Sequence, residues 1–573
     1  VIEAFGCDVV QYDWAPPAGG NVELIKVLNF LRSCREMDID EANRSVIAKV
    51  VASQPVIKDV VPAKSVIKEL NEGKVILHAG PPIRFENMPD PVQGSCVGAA
   101  LFEGWAATEE EARKILASGE VTFIPCHHVK AVGPMGGITS ANMPVFVVEN
   151  QTDGNEAYCT MNEGIGKVLR FGAYSKEVVD RLLWMKDVLG PTLGRAIRSI
   201  GGLNVNPLVA KAIAMGDEFH QRNIAASLAF LKEVSPVITK MDMDEKDRYD
   251  VIKFLADTDQ FFLNIMMATG KAVMDAARQV TDGTIVTAMC RNGVEFGIRI
   301  SGMGDEWFTA PVNTPQGLYF TGYDGEDACP DMGDSAITET FGVGGMAMIA
   351  APAVTRFVGA GGYEDALRTS TEMTEITIDR NPNFIIPNWN FQGTCLGIDA
   401  RLVVEKGITP VINTGIAGSL RNEIEIGDVV LSTDTAQHDM DATGFGYPVG
   451  QIPQMEEFSF PADETLRNLA LKCCKEVNPD IEVFTGRIVS GDQFISDQVK
   501  KDWIAENFGG CCTEMEGAAI AQAAYLNHVP FLIIRAISDK ADNSATMDYS
   551  EFEVKAVRHS VNLILAIAER YSC

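Results

Sequence analysis

A chain of 573 residues, 46% apolar and 22% charged, has the balance of a folded soluble protein and is too long for one ordinary core, so three or four domains are expected from length. Its formal net charge of -30 argues against a nucleic-acid or anionic-membrane partner, because gripping phosphate needs clustered Lys and Arg. The 13 cysteines are scattered with no C-x-x-C spacing, which suits neither a zinc site nor a disulfide framework, so reduced thiols and a cytoplasmic location are expected.

No stretch is apolar enough to span a bilayer, and Val1 to Cys7 lacks the charged segment and apolar run of a signal peptide, so the start reads as truncated rather than targeted. In chain order, Asp8 to Asp13 is strand-like and Val22 to Cys34 has helical periodicity. Lys74 to Ala79 reads as a strand, Gln93 to Ala107 as a helix, and Val121 to Pro125 and Pro144 to Val148 as short apolar strands. This alternation predicts α/β structure. Residues 160 to 280 are mostly helical by pattern, and Ile285 to Gly345 is rich in glycine and strand formers. Asn381 to Asn388 is the one linker-like stretch. The expected division is an α/β subdomain over 1–150, a mainly helical section over 151–280, a glycine-rich α/β section over 281–405 and a last α/β domain over 406–573.

Several polar clusters precede that last domain. His127 and His128 follow a strand; in extended backbone they would face opposite sides, leaving open a metal ligand or a satisfied core histidine beside an exposed one. Asp217 and His220 stand three apart on a presumed helix, sharing a face or forming a solvated pair. Gly342-Val-Gly-Gly-Met-Ala347 lacks the third glycine and acidic residue of a dinucleotide fingerprint and reads as core packing. Gly164-Ile-Gly-Lys167 lacks the rest of a phosphate loop and reads as a turn.

A family resemblance enters with the phrases His78-Ala-Gly-Pro-Pro-Ile83, Phe102-Glu-Gly-Trp105, Gly133-Pro-Met135, Val147-Val-Glu-Asn150, Asn162 to Phe171, Arg291-Asn-Gly293 and Gly333-Asp-Ser-Ala-Ile-Thr-Glu339. Over residues 1–417 the chain resembles a bacterial family of undefined domain function, one member of which is similar to a subunit of the oxamate carbamoyltransferase of anaerobic allantoin breakdown. The resemblance implies partner subunits for the front half. Members carry a longer histidine run where this chain has Val129-Lys130, and no motif of the ordinary carbamoyl-phosphate transferases is present. If transfer chemistry is implied, Arg291 and Arg299 are the natural carboxylate or phosphate clamps, with structural pairing as the alternative.

Thr409 to Leu420 reads as a buried strand breaking into a glycine loop at Gly415 and Gly418. After it come a strand over Gly427 to Ser432, a helix over Asp463 to Val477, a strand over Val483 to Ser490, Thr513-Glu-Met-Glu516 leading into an alanine-rich helix, a buried strand from Val529 that ends at Ser538-Asp539, and an amphipathic helix over Glu551 to Tyr571. Three strand ends deliver Gly418, then Glu514 with Glu516, then Ser538 with Asp539, and in a parallel sheet these share one edge. Phe494 and Ile495 offer a surface for a flat base. The alternative is that Glu516 caps its helix and Asp539 closes a turn.

The phrases Asn413-Thr-Gly415, His438-Asp439, Phe445-Gly-Tyr447, Val489-Ser-Gly-Asp492, Glu514-Met-Glu-Gly517 and Arg535-Ala-Ile-Ser-Asp539 resemble the methylthioadenosine and S-adenosylhomocysteine nucleosidases of the purine nucleoside phosphorylase superfamily, over residues 411–570. The resemblance implies a three-layer α/β core, hydrolysis of a nucleoside substrate without a cofactor or metal, and a homodimer. By it, Asp539 would protonate the leaving adenine and Glu516 would grip the ribose hydroxyls. Gly418 and Ser538 would stand at the substrate, and Met515, Phe494 and Ile495 would bracket the base. Phe445 and Pro453 would reach across a dimer interface, and Tyr549 would close over the base. Two departures stand out. No strand before Thr409 supplies the glutamate that activates water in that family, and Ile416 stands where it has serine. The chain reads as two families joined at a shared Val411 to Gly415 phrase, with the back core incomplete, one strand left unpaired and activity impaired.

Overall fold

A computed structural model describes residues 18, 21–34, 38–314, 325, 328–357, 362–405, 411–455, 457–526, 529–542, 558–567 and 570. Asp8 to Asp13, Thr409 and Tyr549 lie outside them. The chain gathers into two compact units, one of residues 33–403 and one of residues 1–32 with 404–573.

The 33–403 unit is mixed α/β. Strands β1 (Pro55–Pro62), β2 (Lys74–His78), β3 (Val121–Pro125), β4 (Ala131–Val132), β5 (Pro144–Asn150), β6 (Asn155–Thr160) and β7 (Leu203–Asn204) build a five-stranded sheet in the order β4-β6-β5-β1-β7 and a parallel β2-β3 pair. Helix Phe262–Ala277 is buried along almost its whole length and packs on β5 and β6. It is mostly apolar, as such a position demands, with Lys271 paired to Asp275 within it. Strands β8 (Val286–Asn292), β9 (Glu295–Ile300), β10 (Phe308–Pro311) and β11 (Met332–Gly333) form a second sheet in the order β10-β9-β8-β11. Between the two sheets in sequence the structure is mainly helical, from Lys176 to Ala277. Asn381 to Asn388 is not a linker. Most of it belongs to β12 (Thr377–Ile386), which pairs antiparallel with β13 (Gln392–Ile398), and Phe384 and Ile386 are buried. Proline and asparagine had suggested a break; a register shift between Asn381 and Ile385 absorbs them.

The other unit carries β14 (Val411–Ser419), β15 (Val429–Gln437), β16 (Phe460–Pro461), β17 (Val483–Ser490), β18 (Cys512–Glu514) and β19 (Phe531–Asp539). Their order is β16-β15-β17-β18-β14-β19, and β15 pairs again with β19, so the sheet closes into a ring. The expected unpaired strand is therefore not found among these strands: β14 lies between β18 and β19, bonded to both. Nor does β14 break into a loop at Gly415, because pairing with β19 from Val411 to Gly418 carries the strand through both glycines. Helices Glu464–Val477, Gln498–Phe508 and Gly517–Leu526 accompany the sheet. Asp463 caps the first by accepting from Leu466 N at 2.7 Å, and Asp497 caps the second. Apolar residues of β15 and β19 form the core with Leu466, Ala470 and Cys473. Residues 558–567 are helical.

Candidate functional site

In the parallel register of β14 and β19, Gly415 stands opposite Arg535 and Gly418 opposite Asp539. Glycine at position 418 makes room, while at 415 a side chain would only touch Arg535. A Cβ at Gly415 would lie 3.4 Å from the Arg535 guanidinium carbon, and one at Gly418 would lie 2.7 Å from Asp539 Oδ1 and 2.8 Å from Ala541 Cβ. Arg535 thus reaches past β14, donating from Nη2 to Asn413 Oδ1 at 2.5 Å and from Nε and Nη2 to Glu514 of β18, the former at 3.0 Å. Both partners of this ion pair are 2% exposed. Glu514 also accepts from Gly517 N, Glu516 N and the Ser490 hydroxyl, so the buried carboxylate is fully satisfied at the start of its helix.

Asp539 ends β19. Its Oδ1 accepts from Ala541 N at 2.7 Å and its Oδ2 from the Ser538 hydroxyl at 2.8 Å, which orients the carboxyl. It borders a narrow cleft lined by Gly418, Gln493, Phe494, Ile495, Thr513, Glu514, Met515 and Asp539. Phe494 is 61% and Met515 43% exposed, while Ile495 is buried. The cleft therefore combines a carboxyl at one side with uncovered apolar faces at the other, the pairing a flat, protonatable ring requires.

Of the residues singled out from sequence, Gly418, Phe494, Ile495, Met515 and Asp539 share this cleft, and half-buried Ser538 adjoins it through Asp539. Glu516 is exposed and not among the lining residues. Phe445, 88% exposed in the turn Thr443–Phe445, and exposed Pro453 do not line it either. The edge is not that of a purely parallel sheet: β18 runs antiparallel to β14, yet with three residues both its ends stay near the cleft. Sequence reasoning missed the Asn413–Arg535–Glu514 link. Its signal was an arginine inside an apolar strand, which needs a buried acceptor. His438, buried against Gly491, has no hydrogen-bonded ring nitrogen, and burial lowers its pKa.

Among the earlier clusters, His127 and His128 lie in a 3₁₀ turn, Cys126–Val129, not in extended backbone. His127 is buried with neither ring nitrogen hydrogen-bonded, and exposed His128 accepts from Trp307 Nε1 at 2.8 Å. Asp217 and His220 share no helix: Asp217 accepts from Ala226 N, and His220 Nδ1 lies 2.6 Å from Glu339 Oε1. Arg291 is paired with Asp331 at 2.7 Å, and Arg299 lies over Trp307 with Asp305 at 3.3 Å. Each arginine thus has a carboxylate partner, while Arg291 Nη1 and Arg299 Nε have no hydrogen bond.

The fold is that of a two-part α/β protein with a nucleoside phosphorylase-like back part. Residues 121–335 match the family model of the oxamate carbamoyltransferase subunit AllG, and residues 398–569 match the phosphorylase superfamily. The AllG subunit of Escherichia coli strain K12 is 59% identical over 396 residues, spanning 69% of this chain and 94% of the relative. A crystal structure of a conserved protein of unknown function from Enterococcus faecalis V583 superposes with a TM-score of 0.63 at 45% identity, covering 65% of this chain and 89% of that one. Aminodeoxyfutalosine nucleosidase of Campylobacter jejuni is 41% identical over 174 residues, and the 5'-methylthioadenosine/S-adenosylhomocysteine nucleosidase of Shewanella frigidimarina is 39% identical over 175; each match spans 30% of this chain and 75% of the relative. The chain belongs to the AllG family over its front part and to the nucleosidases of the phosphorylase superfamily over its back part.

Proposed function

We propose that the back part binds a 5'-substituted adenine nucleoside and hydrolyses its N-glycosidic bond, with methylthioadenosine and S-adenosylhomocysteine as substrates, in cytoplasmic methionine salvage. The observation that carries this reading is that Asp539, oriented by Ser538 and Ala541 N, opens on the same cleft as Phe494, Ile495 and Met515. Met515 and the two residues at 494 and 495 bracket the base while Asp539 protonates it, and the ring gains oxocarbenium character as the bond breaks. Glu516, one residue past Met515, takes the ribose hydroxyls, a contact that strengthens as that charge grows. Phe445 and Pro453 cover the 5' substituent from a second copy in a homodimer, and Tyr549 closes over the base. The cleft's other carboxylate, Glu514, is held by Arg535 and is not free to activate water. Turnover is therefore slower than in a nucleosidase carrying the water-activating glutamate.

Adenine release from methylthioadenosine by the purified chain tests this. Slow release that Asp539→Asn abolishes is expected; turnover that survives the substitution overturns the assigned roles. A second reading follows from the front part's membership in the AllG family: the chain acts as a subunit of a carbamoyl-transferring complex, with the back part a nucleoside-binding module. Co-purifying partner subunits and turnover of carbamoyl phosphate with oxamate would favour it.

A further inference from the structure

Four phrases quoted from the sequence meet around one buried carboxylate. Asp334 Oδ1 accepts from Gly80 N at 2.9 Å, its Oδ2 from Gly133 N at 3.0 Å, and its own N–H donates to Gly133 O. The backbone closes here to distances no side chain tolerates. Gly80 has φ +80° and a Cβ on it would lie 2.5 Å from Asn292 N, while Gly333 has φ +122° with Met135 N at 2.8 Å. His78–Ile83, Gly133–Met135, Arg291–Gly293 and Gly333–Glu339 are thereby drawn together.

Two further side chains reach this carboxylate. His127 Nε2 lies 3.6 Å from Asp334 Oδ1, too far for a hydrogen bond, and both side chains are 0% exposed. Neither ring nitrogen of His127 has a partner. The donor atoms of His127, Cys290 and Asp334 all lie within 4.8 Å of one another. Leaving an imidazole buried and unpartnered is costly, so the arrangement needs a reason.

We propose that His127, Cys290 and Asp334 bind a divalent transition-metal ion of the zinc type. Imidazole, thiolate and carboxylate are the donors such an ion takes at about 2.0–2.3 Å, so a shift of about 1 Å closes the trio around it. The carboxylate is already oriented by two backbone N–H groups, the outer support that metal ligands require. Charge also balances, since one carboxylate and one thiolate neutralise the ion. Lys271, Arg291 and Arg299 also lie near the trio, Lys271 donating to His127 O at 3.3 Å, and each has a carboxylate partner of its own: Asp275 at 2.7 Å, Asp331 at 2.7 Å and Asp305 at 3.3 Å. Three protein ligands leave a fourth position for a small donor, as in catalytic rather than structural zinc sites.

The test is Co²⁺ titration of the chelator-stripped full chain, read by absorption. Stoichiometric uptake with a thiolate-to-cobalt charge-transfer band is expected; Cys290→Ser removes the band and Cys473→Ser, at a buried thiol of the other unit, keeps it. Zinc affinity of Asp334→Asn, with unchanged circular dichroism, falls by at least about tenfold. A wild-type chain that gives no band, a result that needs no variant to fold, or a band that persists in Cys290→Ser, overturns the proposal.

Discussion

The two units handle a buried carboxylate in opposite ways. Glu514 in the back unit meets a guanidinium, three backbone N–H donations and a hydroxyl, so its charge is matched where it lies. Glu163 in the front unit is also buried, but its Oε2 accepts Arg170 N at 3.2 Å and no side-chain cation among the described residues lies in ion-pair range; burial lifts its pKa from 4.5 to about 7, with Arg170 and Arg181 opposing. One site sets its carboxyl against a guanidinium, the other tends to keep the proton. A buried charge is tolerated when its geometry is complete, and otherwise titrates.

Removing the guanidinium from the first site should do the most damage. Arg535→Met leaves Glu514 buried and unpaired and is expected to cost about 3–5 kcal/mol in urea unfolding of the purified chain; an unchanged midpoint would mean that the pair does not hold β18 and β19 across β14. Next comes Gly418→Ala, which presses a methyl group on Asp539 Oδ1 and Ala541. An overpacking cost of about 1–3 kcal/mol is expected, with weaker adenine binding by calorimetry. The most conditional effect belongs to Glu163→Gln, since it appears only across a pH interval. A carboxyl whose folded pKa is raised stabilises fully below its unfolded value and loses that contribution as pH rises through the folded value. Wild-type stability should therefore fall between about pH 4.5 and 7, by up to about 1.4 kcal/mol per pH unit for this group. The variant should lack that part of the slope in denaturation series across the interval, and equal slopes would place Glu163 outside the comparison.

Much of the back unit was legible because its signals are local. An acidic cap before a periodic run marks the helix after Asp463, and Val483 to Ser490 is a strand in sequence and structure alike. Asp539 was readable at a strand end, Phe494 and Ile495 as an apolar surface and Met515 from the family resemblance, and the four line one cleft. What escaped was non-local. Gly415 and Gly418 looked like loop residues because glycine breaks isolated strands, yet β19 supplies the hydrogen bonds that keep β14 extended and uses the missing side chain of Gly418 as space for Asp539. Asn381 to Asn388 looked like a linker because of its prolines and asparagines, yet β13 pairs with most of it.

The sequence alone determined the class of each part, since periodicity, caps and strand-end chemistry depend on residues a few positions apart. Only the tertiary structure decided that β15 closes the ring on β19, that Arg535 finds Glu514 across an intervening strand, and that His127, Cys290 and Asp334 converge from three distant segments. Such contacts are set by how strands register and how closely glycine lets backbones approach, and neither quantity is written in local spacing.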